Sequence, residues 1–404
     1  MSSGKEIVIV FSVNDSYVYV GYNAIYSLRK YIASAFDYKI YVFVTDLNND
    51  SIKRLESLSK TNFIVKCLDI SDYVKNVTLK KSMHLSVETY YRLFIPLVLS
   101  QYKKVLYLDS DICVLDDVSN LYNCNLDGFP VGAVKDVQCP YLKKHSLTIG
   151  GLDYKATFNA GVILIDTEKF EAGSIRDKCI ELLQNDYNSE KRKFIFADQD
   201  VLNIVLYKNI KELPDEWNVQ PQYGDRLDIL EEDYRGYYLK CLKKAKIMHY
   251  AGERKPWLVP NLFKSEVFWG TTKDSNTFED IINVLLTDIN KRMSKYNCFD
   301  MFQFPYGFID YRSKIVIYGA GRVGNDFVIQ NSLTRYSDIV LWIDKNADKI
   351  MDDRVVNVNK ILECKYDFVV VAISEEIVAK KAITQLNKLG VPAEKIIWTE
   401  YRIP

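Results

Sequence analysis

What this 404-residue sequence lacks removes several classes of protein. Its eight cysteines form no C-x-x-C pair and no other metal-ligand spacing. That argues against structural zinc and disulfides and suits small core hydrophobes or surface thiols in a reducing compartment. No apolar run reaches the eighteen or so residues needed to span a bilayer. Met1 to Lys5 lead straight into a strand without a secretory leader, so a cytoplasmic protein is expected, free or peripheral at the inner face of the membrane. Net charge is also absent, with 53 basic and 53 acidic side chains. Nucleic acid is therefore not an expected partner, and short basic runs such as Lys243, Lys244 and Lys246 read as solvated faces. What remains is 48% apolar content, ample for two globular domains with full cores.

The stretch Lys104 to Asp117, KVLYLDSDICVLDD, ends an apolar strand in Asp109, Ser110 and Asp111. Val105 to Leu108 read as buried on both faces, which puts the two carboxylates where the chain leaves the sheet. In open α/β sheets ligands bind beyond the carboxyl ends of the strands, and two acidic side chains there invite a hard divalent cation. Plain turn chemistry is the competing reading.

Glu6 to Phe11, Lys39 to Thr45 and Asn62 to Asp69 read as strands, separated by helical patterns over Tyr19 to Tyr31 and Ser51 to Ser59. This winding predicts an α/β fold, a mostly parallel sheet with helices on both faces. The break Ser12, Val13, Asn14, Asp15 is then a ligand-facing loop. His84 lies just upstream of a helical pattern from Ser86 to Leu99 whose only cation, Arg92, is either paired with a carboxylate or directed at phosphate. Val131 to Val137 is a strand carrying Asp136. Phe158 to Asp166 is another, opening with Asn159, Ala160 and Gly161, small residues that let a ligand come close or form a plain turn. Phe196 to Leu206 starts a helix with Asp198, Gln199 and Asp200 in its first turn. The macrodipole accounts for the carboxylates there but not for Gln199. Lys246 to Trp257 is a short strand followed by His249, Gly252 and Lys255. It reads as an anion-binding loop with a cation to neutralise leaving charge, or else as a loop with a satisfied core histidine.

From Asn276 the pattern is one amphipathic helix, with Phe278, Ile281, Ile282, Leu285, Leu286, Ile289 and Met293 on one stripe and Glu279 at capping-box distance. The aromatic stretch Met301 to Tyr311 is expected to pack rather than touch a membrane. Lys314 to Gly321 is a strand into a glycine turn, and Ile339 to Asp344, Phe368 to Ile373 and Lys395 to Trp398 are three more strands. Gly319, Gly321 and Gly324 form a G-x-G-x-x-G with Asp344 about twenty residues on, the dinucleotide fingerprint. The remaining length supplies only half of a two-halved dinucleotide fold. A nucleotide or another small ligand is open there, and hydride chemistry is not expected.

Taken together, VFSVND, His84 with the segment to Arg92, YLDSD, FNAGVILID, DQDVLN and HYAGERKPW resemble glycosyltransferase family 8, retaining nucleotide-sugar transferases of GT-A fold. The last stretch looks like the family's H-x-x-G-x-x-K-P-W. The resemblance implies that Asp109, Asp111 and His249 hold Mn2+, or Mg2+ in its place, bridging the diphosphate of a UDP-sugar. It implies that Gly252 and Lys255 hold the β-phosphate, that Val13, Asn14 and Asp15 hold the uridine, and that Ser110 stands between the two metal-binding aspartates. His84, Arg92, Asp136, Asn159, Ala160, Asp198 and Gln199 match positions around the donor sugar, and Gln199, Asp198, Arg92 and Lys255 are the expected catalytic set. Mixed carboxylate and imidazole ligands suit Mn2+ better than Ca2+. The expected activity is transfer of glucose or galactose from UDP to a glycan, glycoprotein or glycolipid, with retention of configuration. The expected layout is a GT-A catalytic domain over 1–270, a helical and aromatic linker over 271–313, and a small Rossmann-like α/β domain over 314–404 through which the chain could form a homo-oligomer. A nucleotide-sensing protein working through the Gly319 loop is the alternative. Intact Asp109, Asp111, His249 and Lys255 argue against it.

Overall fold

A computed structural model of the chain describes residues 5–80, 86–189, 193–260, 262–294, 302–350 and 352–399. The chain forms two compact units, Met1–Lys255 with Glu266–Ser275, and Pro256–Ser265 with Asn276–Pro404. No described helix is long and apolar enough to cross a membrane.

Among the described residues, nine strands belong to the first unit: β1 (Lys5–Ser12), β2 (Phe36–Val44), β3 (Phe63–Asp69), β4 (Lys104–Leu108), β5 (Ile112–Val114), β6 (Val131–Lys135), β7 (Phe158–Asp166), β8 (Lys211–Glu212) and β9 (Ile247–His249). Seven of them form one sheet in the order β3-β2-β1-β4-β7-β6-β8, while β5 and β9 pair as a separate antiparallel ribbon. The near-continuous apolar runs follow from burial on both faces. Val8 and Val10 of β1 feed one core, while Ile7, Ile9 and Phe11 feed the other. Helix Val18–Lys30 covers the second of these with Ala24, Ile25 and Leu28, and helix Asp198–Val205 covers the first with Val201 and Leu202. The sheet is mostly parallel. The exception is β7, which runs antiparallel between β4 and β6.

One local expectation changes. Val87–Phe94 winds as a 3-10 helix that passes into a short α-helical turn at Ile95–Val98. Pro96 lacks the N–H that would bond back to Arg92, so a continuous α-helical ladder cannot form across this point.

The second unit has a five-stranded, wholly parallel sheet of β10 (Lys314–Tyr318), β11 (Asp338–Asp344), β12 (Val355–Asn357), β13 (Phe368–Val371) and β14 (Ile396–Ile397), in the order β12-β11-β10-β13-β14. β12 was not expected: three residues are too few for a period to show. The aromatic stretch packs inside this unit, where Tyr306 and Tyr336 meet edge to face with ring centroids 4.9 Å apart. Helix Phe278–Ser294 buries Ile281, Ile282, Leu285 and Leu286 of the predicted stripe and half-buries Phe278, while the side chains of Ile289 and Met293 lie outside the described ones.

Candidate active site

β4 ends at Leu108, and the chain turns through Asp109, Ser110 and Asp111 before β5 begins. Two hydrogen bonds hold that turn. The Asp109 N–H donates to Gly161 O on β7 at 2.8 Å, and Ser110 Oγ donates to Ser12 O at the end of β1, also at 2.8 Å. Pairing of β5 with β9 sets His249 opposite Ile112. One ligating atom from each of Asp109, Asp111 and His249 then lies within 4.8 Å of the others.

This trio fits a divalent cation. His249 Nδ1 donates to Asn218 Oδ1 at 2.8 Å, and the Asn218 amide nitrogen donates to Asn159 Oδ1 at 2.9 Å, which orients the Asn218 amide. In the neutral ring the other nitrogen, Nε2, therefore presents a lone pair. It points at Asp111 Oδ1, 3.2 Å away, and Asp109 Oδ2, 3.6 Å away. Asp111 Oδ1 is buried and accepts no hydrogen bond. Three electron-rich atoms facing one another repel unless a cation lies among them, and the hydrogen bond on Nδ1 is the usual way a ligating imidazole is oriented. A Cβ added at Gly161 would lie 2.1 Å from His249 Cε1 and 2.8 Å from Asp109 Oδ2. The small residue read from sequence as room for a ligand is thus room for the imidazole itself.

Buried charge surrounds the trio. Arg92 is 4% exposed, and its donors are taken up by carboxylate, backbone and hydroxyl oxygens. Its Nη2 donates to Asp109 Oδ1 at 2.9 Å, its Nη1 donates to Ala160 O, and its guanidinium lies 4.4 Å from the Tyr107 ring centroid. Arg92 Nε is also 2.8 Å from Asp198 Oδ2, a distance typical of an ion pair though without hydrogen-bond geometry. Burial pushes the Asp198 carboxyl up to about 6 against the pull of Arg92, and Thr89 Oγ1 donates to it at 2.6 Å. Lys255 Nζ bonds Asp111 Oδ2 and donates to Tyr250 O at 2.8 Å. Burial raises the Asp111 pKa, but the Lys255 ammonium beside it opposes that, and the carboxyl is held well below its ordinary range.

A chain of amides continues from His249 through Asn218 to Asn159. Asn159 Nδ2 donates to Gln199 Oε1 at 3.1 Å, and Gln199 Nε2 donates to Asp136 Oδ2 at 3.0 Å. Gln220 Nε2 donates to the other oxygen, Asp136 Oδ1, at 2.8 Å. Gln199 Oε1 also accepts from the Ala160 N–H at 3.0 Å. Donor and acceptor run one way along this chain, so each amide fixes the orientation of the next. Asn218 and Gln220 escaped the sequence reading. They flank Val219, which bridges Met248 next to His249, and polar residues at alternate positions of an extended segment were the available signal.

The remaining predicted residues divide between two cavities and the exterior. Val13, Asn14, Arg92, Asp109, Ser110, Asp111 and Lys255 line a cavity of 320 Å³. Asp136, Asn159, Ala160, Asp198, Gln199, His249 and Gly252 line one of 140 Å³, to which Arg92, Asp109, Asp111 and Lys255 also contribute. Tyr17 lines the larger cavity too and was not predicted. Asp15 is not brought in. It is exposed, and its carboxylate accepts from Asn48 and Ser51 at the start of helix Asn49–Glu56. His84 lies outside the described residues. Asp200 has a structural partner, His145 Nε2 at 2.8 Å.

This site stands on a sheet whose sequence model, that of glycosyl transferase family 8, matches residues 8–259, and the chain belongs to that family. General stress protein A of Bacillus subtilis is 29% identical over 224 residues, covering 54% of this chain and 76% of that protein. Lipopolysaccharide 1,2-glucosyltransferase of Escherichia coli is 25% identical over 243 residues, covering 59% of this chain and 70% of that protein. Among solved structures, the apo WbbM bifunctional glycosyltransferase superposes with a TM-score of 0.60 at 25% identity. That likeness covers 71% of this chain but 53% of WbbM, so the chain spans about half of that larger protein.

Proposed function

We propose that the first unit is a Mn2+-dependent retaining hexosyltransferase that moves glucose or galactose from a UDP-sugar to a glycan, glycoprotein or glycolipid acceptor. The observation that carries this is the convergence of Asp109, Asp111 and His249, one ligating atom from each within 4.8 Å of the others, beside the strand-end cavities. Family membership and the glucosyltransferase of Escherichia coli support the donor class. A divalent ion held there supplies positive charge to the leaving diphosphate. Lys255 adds a second positive charge beside it, and Gly252, at φ +79° with nothing within 4 Å of an added Cβ, leaves the backbone open to a phosphate. Val13 and Asn14 form the wall for the nucleoside.

The sugar-side residues favour attack from the face that UDP leaves. Gln199 Oε1 already accepts two hydrogen bonds, so it orients the sugar rather than attacking it. Asp198, the nearest carboxylate in sequence, is held by Thr89 and Arg92. With Gln199 and Asp198 so engaged, the acceptor oxygen bonds to the anomeric carbon as the bond to UDP breaks, and its proton passes to the departing phosphate.

The test is a screen of UDP-sugars for Mn2+-stimulated hydrolysis, followed by transfer from the responding donor to a sugar acceptor and NMR of the linkage in that transfer product. An α-linked product from UDP-glucose or UDP-galactose is expected. A β-linked product, or full activity in EDTA, would sink the reading.

A further inference from the structure

In the second unit the winding reverses between β10 and β13, and at the carboxyl ends of these strands lies a cavity of 500 Å³. Ligands of open α/β sheets bind at such a reversal, and this volume is within the range of small-molecule sites. The glycine loop between β10 and helix Arg322–Thr334 lines it.

Two of the loop's glycines are explained by the protein itself. Gly319 sits at φ +114°, and a Cβ there would lie 2.8 Å from Ala372 O. At Gly324 a Cβ would lie 1.9 Å from Gly319 O, where the helix packs on the loop. Gly321 is different. Its φ of -77° and ψ of -163° suit any residue, and nothing lies within 4 Å of an added Cβ. As the N-cap of a thirteen-residue helix it leaves the helix's positive end uncovered on the cavity side, where a side chain would intrude.

The surroundings add chemistry. Trp342 Nε1 donates to Gly319 O at 2.9 Å and holds the loop's shape. The Asp344 carboxylate accepts from Ala320 N at 2.9 Å and Asn346 N at 2.8 Å, which fixes it at the end of β11 with one lone pair left on each oxygen. Arg322, Lys345 and Lys381 also line the cavity, against the acids Asp344 and Glu375, so the lining carries an excess of positive charge.

We infer that this cavity is a second nucleotide site, separate from the one in the first unit: a diphosphate rests on the Gly321 turn, and a ribose hydroxyl donates to Asp344. The ligand class is a nucleoside diphosphate whose ribose hydroxyls are free, as in NAD+, ADP-ribose or a UDP-sugar. A ribose bearing a 2′-phosphate would press two anions together at Asp344 and is rejected.

The experiment is calorimetric titration of the full chain in EDTA with ADP-ribose, NAD+, NADP+ and UDP-glucose in turn. One equivalent of ADP-ribose or NAD+ should bind, with NADP+ at least about tenfold weaker. UDP-glucose, with Gly321→Val as the blank, distinguishes a site that accepts any base from one that reads adenine. Gly321→Val should abolish binding and leave the melting temperature unchanged, since the fold leaves that space open. Lys381→Glu, an exposed change on helix Glu376–Lys388, should weaken binding several-fold. In both variants UDP-sugar hydrolysis by the first unit should persist, so failure here is distinguishable from failure there. Absence of heat with all four probes, binding unaffected by Gly321→Val, or NADP+ binding as tightly as NAD+ would overturn the inference.

Discussion

Both units keep a glycine beside a strand-end cavity, for opposite reasons. In the first, side chains demand it: His249 and Asp109 occupy the space a Gly161 Cβ would need. In the second, nothing in the protein stands within 4 Å of a Cβ at Gly321. The first site is crowded by ions of both signs, buried Arg92, Asp198 and Lys255 with half-buried Asp109 and Asp111, held in ion pairs. The second is shaped by backbone, with its cations at the rim. Crowding of ions makes a site precise but ties its chemistry to stability, because removing one member strands a buried charge. A backbone site should tolerate change more easily.

The comparison can be broken most directly at Asp111. Asp111→Asn should abolish Mn2+ binding and lower UDP-sugar hydrolysis by roughly a thousandfold, leaving ADP-ribose binding in EDTA untouched. Undiminished hydrolysis, measured by UDP release, would remove the metal from the mechanism. Next is Gly161→Ala. Its methyl must displace the imidazole, and a shift of that size should cost roughly a hundredfold in rate and about 1–3 kcal/mol of stability by overpacking. Urea denaturation read beside hydrolysis checks this, and Gly321→Val, which meets nothing, should show no such loss.

A smaller effect sharpens the role of the amide chain. Asn218→Ala removes the acceptor on His249 Nδ1 and should weaken Mn2+ binding by about 10–100-fold, read by titration of the metal alone. Asn218→Asp keeps that acceptor but cannot donate to Asn159, so it should spare metal affinity and disturb the sugar side. Equal metal affinities in all three proteins would show that Asn218 has no part in orienting the ring. The smallest effect is on pH. Because burial pushes Asp198 up to about 6, its contribution to stability is complete below the unfolded carboxyl value of about 3.9 and is lost as pH rises through about 6. Relative to Asp198→Asn, the protein should therefore lose stability between about pH 4 and about pH 7. A difference that stays flat across that range in urea melts would contradict the assignment.

Much of this was legible locally. β1, β4 and β7 announce themselves as apolar runs because they are buried on both faces, and the D-x-D marks the end of β4 for the same reason. The second unit's loop was readable from glycine spacing. What stayed hidden was short, or depended on partners far away in sequence. β12 has three residues, the 3-10 winding before Pro96 turns on a single missing N–H, and Asp15 looked like a ligand-facing residue until helix Asn49–Glu56 claimed its carboxylate.

The sequence by itself determined which side chains stand at strand ends, since alternation and composition report burial and burial locates the end of a strand. It thereby supplied the carboxylates, the histidine and the glycine loop. Only the tertiary structure decided what each of them faces. The β5–β9 pairing puts His249 against Asp111, Asn218 sets which ring nitrogen carries the lone pair, and Arg92 spends its donors on Asp109 and on backbone and hydroxyl oxygens while Asp198 closes against it. Those choices are long-range contacts between buried polar groups. Their energies depend on distance and on the partners that remain unsatisfied, and no local period in the chain records either.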